Sequence, residues 1–241
     1  MKELVRIGTS GWTYGHWKGI FYPEDQPKAK WLEYYTRKFD TVELNASFYR
    51  LPQETTFKNW FTRTPEGFLW SLKASRYITH IKRLSDVNEA LQRFYDRAGL
   101  LGSKLGPLLF QLPPSLVYDT RLVQTFLAQL DPCYRHAIEV RNPSWLNSEF
   151  LRQIQDNNTA FCISDTAGRY PYGEEITADF VYIRLHGSRK LYASEYTTEE
   201  LEGWAKKIVA WGRETFVYFD NDFEGYAVRN ARQLKRFLGD K

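Results

Sequence analysis

The chain of 241 residues carries 33 Lys and Arg against 29 Asp and Glu, a formal net charge of +4, with 43% hydrophobic and 26% charged side chains. That length lets roughly 70 to 75% of the unfolded surface be buried without a disulfide or metal staple, and Cys133 and Cys162 fit neither a CxxC nor a Cys/His ligand spacing, which excludes a cysteine-rich zinc module. No run of 18 uncharged apolar residues is present to span a membrane, and the opening Met-Lys-Glu-Leu-Val-Arg lacks an apolar signal region, so the cytoplasm is the expected compartment.

Short apolar, β-branched or aromatic runs predict strands near Val5 to Gly8, Thr41 to Asn45, Phe68 to Lys73, Pro107 to Gln111, Ala137 to Arg141, Ala160 to Asp165, Val181 to His186 and Phe216 to Asp220. Helical stripes fall between them. The first lie at Trp31 to Phe39 and Thr55 to Phe61, followed by Val87, Leu91, Phe94, Ala98 and Leu101 at three- and four-residue steps, with Asp86 and Glu89 as candidate caps. Further stripes lie at Leu122 to Leu130 and Glu149 to Ile154. Thr197 and Glu200 form a capping box ahead of Leu201, Trp204, Ala205 and Ile208. The last helix turns Val228, Ala231, Leu234 and Leu238 inward, and Arg229, Arg232, Lys235 and Arg236 outward. Thr166 to Asp179 holds Gly168, Pro171 and Gly173 and reads as a loop. One crossover helix is therefore expected to be missing between the sixth and seventh strands. Eight β/α repeats predict an α/β protein, a single TIM-like (β/α)8 barrel domain over residues 1–241. An open doubly wound sheet would announce itself by GxGxxG after the first strand, and Gly8-Thr9-Ser10-Gly11-Trp12 lacks that spacing.

Barrel strands covered by helices outside and packed together inside should be continuously apolar, yet these are interrupted. Glu43 and Asn45 oppose Val42 and Leu44; Glu139 and Arg141 oppose Ile138 and Val140; Tyr182, Arg184 and His186 oppose Val181, Ile183 and Leu185; Tyr218 and Asp220 oppose Val217 and Phe219. Lys73, Gln111 and Asp165 end three more strands. Because side chains alternate with period 2, the polar set is expected to point into the barrel at its C-terminal end, where barrels keep their active sites. With Arg6, which lies lower, it holds four cations (Arg6, Lys73, Arg141, Arg184) and four anions (Glu43, Glu139, Asp165, Asp220). Two readings stand: a salt-bridged filling layer, or a pocket. Each buried ion costs several kcal/mol that pairing only roughly recovers, so filling alone explains eight charges poorly. Arg6 fits the filling role best.

Several motifs carry a resemblance: Gly8-Thr-Ser-Gly-Trp12 with Tyr14, Trp17 and Phe21-Tyr-Pro23; Val42-Glu-Leu-Asn-Ala-Ser-Phe-Tyr49; Gly106-Pro-Leu-Leu-Phe-Gln-Leu-Pro-Pro114; Glu139-Val-Arg141 with Pro143-Ser-Trp145; and Tyr182-Ile-Arg-Leu-His-Gly187. The chain resembles the family called domain of unknown function 72, or YecE-like. The resemblance runs from first strand to last helix and implies a TIM-barrel-like fold without a settled activity, so no catalytic role is transferred. Where that family commonly shows Asn-Asn after the eighth strand, this chain has Asp220-Asn221.

Glu43, Glu139, Asp165 and His186 are the candidate catalytic groups. Paired carboxylates on different strands suit acid/base or nucleophilic hydrolysis, and Glu43, Glu139 and Asp165 offer a set for one Mg²⁺ or Mn²⁺; no cofactor is specified. Candidate substrate contacts are Lys73, Arg141 and Arg184 for an anion, with Asn45, Gln111 and Asp220, and aromatics from β/α loops: Trp12, Tyr14, Phe48, Tyr49 and Trp145. The expected ligand is a small phosphate- or carboxylate-bearing or sugar-containing molecule. One alternative is a nucleic-acid protein using a basic, aromatic-lined mouth together with the last helix. Another is a non-catalytic small-ligand binder. Nothing in the sequence sets an oligomeric state.

Overall fold

A computed structural model describes residues 5–239. Eight strands form one parallel sheet: β1 (Val5–Thr9), β2 (Thr41–Leu44), β3 (Leu69–Lys73), β4 (Leu105–Gln111), β5 (His136–Glu139), β6 (Ala160–Asp165), β7 (Phe180–Leu185) and β8 (Glu214–Phe219). The order β1-β8-β7-β6-β5-β4-β3-β2 brings first and last strands together, so the sheet curls into a TIM-like (β/α)8 barrel. Its seam lies between β1 and β2, which share the bridge Ser10–Glu43. There Gly8 leaves no room for a side chain, since a Cβ would meet the Thr41 carbonyl oxygen at 2.2 Å.

Around the barrel lie α1 (Trp31–Tyr35), α2 (Ala46–Tyr49), α3 (Glu54–Arg63), α4 (Asn88–Ala98), α5 (Thr120–Leu127), α6 (Ser148–Asp156), α7 (Thr198–Trp211) and α8 (Tyr226–Phe237). Residues 166–179 carry no helix, as the Gly/Pro content predicts. The Thr197–Glu200 capping box forms. The cap expected at α4 does not: Asp86 sits at φ 52° and pairs with Lys82 at 3.2 Å, and Val87 occupies the N-cap without a side-chain bond. No helix among the described residues is long and apolar enough to cross a membrane.

Two apolar layers arise from strand alternation. Val42, Leu44, Ile138, Phe161, Ile163, Val181, Ile183 and Val217 face outward and join the helices in the large core. Inside, Leu109, Ala137, Ala160, Cys162, Phe180, Tyr182, Phe216 and Tyr218 fill the lower barrel. Arg135 closes the base, its guanidinium 5.6 Å from the Phe180 ring and 5.9 Å from Phe216. Arg6 also lies low, bonded to Asp40 at 3.2 Å and the Gly67 carbonyl at 2.8 Å.

Candidate functional site

Above the aromatic floor, Arg184 at the end of β7 organises a buried charged frame. Its Nε donates to Glu43 Oε1 and Oε2 at 3.2 and 3.0 Å, and its Nη2 to Glu43 Oε1 at 2.7 Å and Asp220 Oδ2 at 3.2 Å. Nη1 donates to Glu139 Oε2 at 2.7 Å and lies 3.2 Å from His186 Nε2. Since a guanidinium only donates, Nε2 is the accepting nitrogen in that contact, and Nδ1 lies 2.9 Å from Asp220 Oδ2. Ser10 Oγ and the Tyr182 hydroxyl complete Glu43, each at 2.7 Å. Arg141 Nε and Gln111 Nε2 complete Glu139, at 3.0 and 2.8 Å.

Electrostatics hold two of these acids ionised. Burial pushes the Glu139 carboxyl up, but Arg184, then Arg141, overcome it and hold the group well below the usual carboxylate range. Asp220 obeys the same balance: burial raises it, and Arg184 with His186 bring it below its ordinary value.

The frame floors a pocket of about 510 Å³ at the C-terminal strand ends. Lys73, Arg76, Arg141 and Arg184 line it against a single carboxylate, Asp220, with Asn45, Gln111 and His80 between and Tyr14, Phe48, Tyr49 and Tyr192 as walls. Burial, then the charge of Arg184, lowers the Lys73 ammonium to about 8. His80 is lowered to about 4 by burial and the Lys73 and Arg141 charges.

Most of the expected site residues converge here. Asn45, Lys73, Gln111, Arg141, Arg184, Asp220, Tyr14, Phe48 and Tyr49 line the pocket, while Glu43, Glu139 and His186 lie fully buried in or against the frame. Three do not join. Asp165 shares the phase of Phe161 and Ile163 and so faces out of the barrel; Ser164 takes the inward position. Its carboxylate accepts from the Tyr196 hydroxyl at 2.9 Å and the Ala167 amide at 3.2 Å. The three-carboxylate metal set therefore does not assemble, and no group of three or more His, Cys, Asp or Glu among the described residues is placed to hold a metal. Trp12 packs edge-on against Trp60 and Trp70, and Trp145 is buried against Tyr118 and Phe150, its Nε1 bonded to the Leu116 carbonyl at 2.7 Å. Both are packing residues.

Sequence reasoning missed His80 and left Tyr192 outside the contact set. A single π-helical turn, Tyr77–Ile81, comes after β3 and swings His80 against Phe48, ring centroids 5.1 Å apart. Tyr192 adopts a left-handed φ of 63°, unusual for an aromatic residue, which sets its ring 5.4 Å from His186. Neither conformation has a signal in residue spacing. Of the cations that follow β3, Arg76 lines the pocket, while Lys82 pairs with Asp86 and Arg83 donates to the Ser115 carbonyl at 2.8 Å.

Fold and site together define a class, a parallel (β/α)8 barrel with a cation-lined pocket over a buried Arg–Glu frame. The chain belongs to the family described as "Protein of unknown function DUF72", whose profile matches residues 6–241. It is similar to the UPF0759 protein YunF of Bacillus subtilis, 26% identical over 98% of this chain and 95% of that one, and to the UPF0759 protein YecE of Escherichia coli K12, 25% identical over 89% and 85%. Among solved structures it is similar to a DUF72 family protein from Thermotoga maritima, with a TM-score of 0.89 and 28% identity over 98% of this chain and 99% of that chain. A DUF72 family protein from Enterococcus faecalis shares the fold, with a TM-score of 0.84 and 21% identity over 97% and 95% of the two chains.

Proposed function

We propose that the protein is an enzyme acting on a small phosphate- or carboxylate-bearing substrate, including a sugar phosphate, bound in the barrel mouth. One observation carries this: four cations and one carboxylate line a single pocket whose walls are aromatic. Arg141 holds its planar fork over the Tyr170 ring, 4.5 Å from the centroid, with its Nε on Glu139; a pre-oriented guanidinium of this kind suits a carboxylate or phosphate.

The paired-carboxylate hydrolase is the weaker form of the reading. Glu139 is held ionised and has no proton to give, and Glu43 is fully buried with both oxygens occupied by Arg184, Ser10 and Tyr182. Acid/base work falls to groups that face the pocket, Lys73 first. The nucleic-acid reading needs the last helix and the mouth on one face. Instead Arg232, Lys235 and Arg236 gather with Arg37 and Lys38 around Asp40, which precedes β2 at the opposite end of the barrel, and Arg229 pairs with Glu195 at 2.9 Å.

Thermal unfolding with inorganic phosphate, pyruvate and glucose 6-phosphate tests the proposal. A ligand at 100 times its Kd adds roughly 2.7 kcal/mol, about 5 to 10 °C in Tm for a chain of this size. At least one anion is expected to stabilise the protein and to lose that effect in Arg141→Ala. No stabilisation by any of them overturns the anion pocket. Stabilisation without turnover of any stabilising anion points to a binding protein instead of an enzyme.

A further inference from the structure

Every acid in the frame is matched to Arg184 or Arg141, whereas Lys73, at the end of β3 and almost wholly buried, forms no ion pair among the described residues. Its Nζ donates instead to a neutral acceptor, Gln111 Oε1, at 2.8 Å. The amide of Gln111 cannot turn over. Its Nε2 donates to Glu139 Oε2 at 2.8 Å, and an ionised carboxylate accepts only, so the oxygen end must face Lys73. On another side the Phe48 ring lies 4.2 Å from Nζ. The ring face returns part of the lost hydration to an ammonium but supplies no counter-charge. Arg184, beside Arg76 and Arg141 in the same lining, repels a fourth cation; Glu139, Glu43 and Asp220 attract it from the frame, but burial outweighs their pull. A neutral amine, by contrast, keeps one N–H on Gln111 and has a lone pair for the pocket. In the same lining, Asn45 offers a buried Oδ1 that has no hydrogen-bond partner among the described residues.

We propose that Lys73 is a carbonyl-capturing amine, forming an imine with a small anionic aldehyde or ketone such as a 2-oxo acid or an oxo-phosphate. The inference rests on the anion pocket above and names its substrate class. In the first step the Nζ lone pair attacks the carbonyl carbon, the C–N bond forms, and one amine proton passes to the carbonyl oxygen to give a neutral carbinolamine. Its new hydroxyl is a donor, and Asn45 Oδ1 is the unmet acceptor in the same lining. Protonation of that hydroxyl, by a proton drawn from solvent, breaks the C–O bond and releases water. The nitrogen lone pair then completes a cationic iminium, in which the carbon next to the former carbonyl is acidified. Gln111 is a positioning residue: it orients Nζ without offering the negative charge that would hold it protonated.

Borohydride trapping tests this on the intact protein. Pyruvate, glyoxylate and dihydroxyacetone phosphate are the probes, sodium cyanoborohydride the reductant, and lactate, which lacks the carbonyl, the control. Peptide mass mapping of the wild-type chain locates the reduced adduct without the need for any variant. We expect one adduct per chain, on Lys73, ahead of all other lysines. At pH 8 a lysine lowered to about 8 holds on the order of 100-fold more neutral amine than an exposed one. Trapping should rise with pH through that value, compete with inorganic phosphate, and vanish in Lys73→Arg. Modification of surface lysines with Lys73 unmodified or no faster than the rest overturns the inference. If Lys73 stays unmodified while pyruvate, lactate or inorganic phosphate still stabilises the wild type but not Arg141→Ala, the imine alone fails; if none of these anions, nor glucose 6-phosphate, stabilises the wild type, the anion pocket fails with it.

Discussion

Arg184 shows why so many ions are tolerated inside a barrel that leucines would fill at less cost. All three of its nitrogens donate, to two glutamates and an aspartate, and those acids are completed by Ser10, Tyr182, Gln111 and Arg141. Arg184→Met keeps much of the volume but leaves Glu43 and Glu139 without their principal counter-charge. We expect a loss of about 3 to 5 kcal/mol, read from urea midpoints at neutral pH; an unchanged midpoint would show that the frame is not what holds these acids. The two readings left open by the sequence, filler or pocket, thus divide by residue: Glu43 and Glu139 belong to the frame, Lys73, Arg76 and Arg141 face the pocket above it, and Arg184 belongs to both. Sequence alternation reaches the first group because a charge between two apolar neighbours has only one face to take. It fails at Asp165, where the strand's inward partner is Ser164 and the acid carries the outward phase.

At the scale of elements, the strands and amphipathic helices were legible because period 2 and period 3.6 are written in the residues, as the fully buried Val87, Leu91 and Ala98 confirm. The loops after the strands were less so. Trp12 and Trp145 stand in β/α loops like Tyr14 and Phe48, yet loop position says nothing of which way a ring turns, and both pack into the core between strands and helices, away from the pocket. The barrel seam was equally hidden. Tyr35, on the short helix α1, inserts its hydroxyl where β1 and β2 lack a ladder: it accepts from the Thr9 amide at 3.0 Å and donates to the Thr41 carbonyl at 3.1 Å. Tyr35→Phe leaves that amide buried without its acceptor, and we expect a loss of about 1 to 3 kcal/mol. Faster amide exchange confined to β1 and β2 would mark the cause as the seam; no change in exchange there would refute it.

For the whole molecule, pH offers a way to separate the histidines from the frame. His136, buried beneath α4 with Nε2 3.1 Å from the Tyr95 hydroxyl, is lowered by burial from 6.5 to about 4, and His80 falls to a similar value. The unfolded chain therefore binds more protons than the folded one between these limits, so stability must fall as pH drops from about 6.5 toward 4. Glu139 and Asp220, held below their ordinary values, add their losses only as pH falls below the usual carboxylate range. Guanidinium midpoints at pH 7 and 4.5 should differ, and equal midpoints would contradict the histidine shifts. The aromatic floor sets a different constraint. Phe180, Tyr182, Phe216 and Tyr218 are sealed from solvent beneath Arg184, with Arg135 across the base. Among the described residues the pocket therefore has a closed floor, and a ligand of the kind proposed for it would leave by the mouth through which it entered.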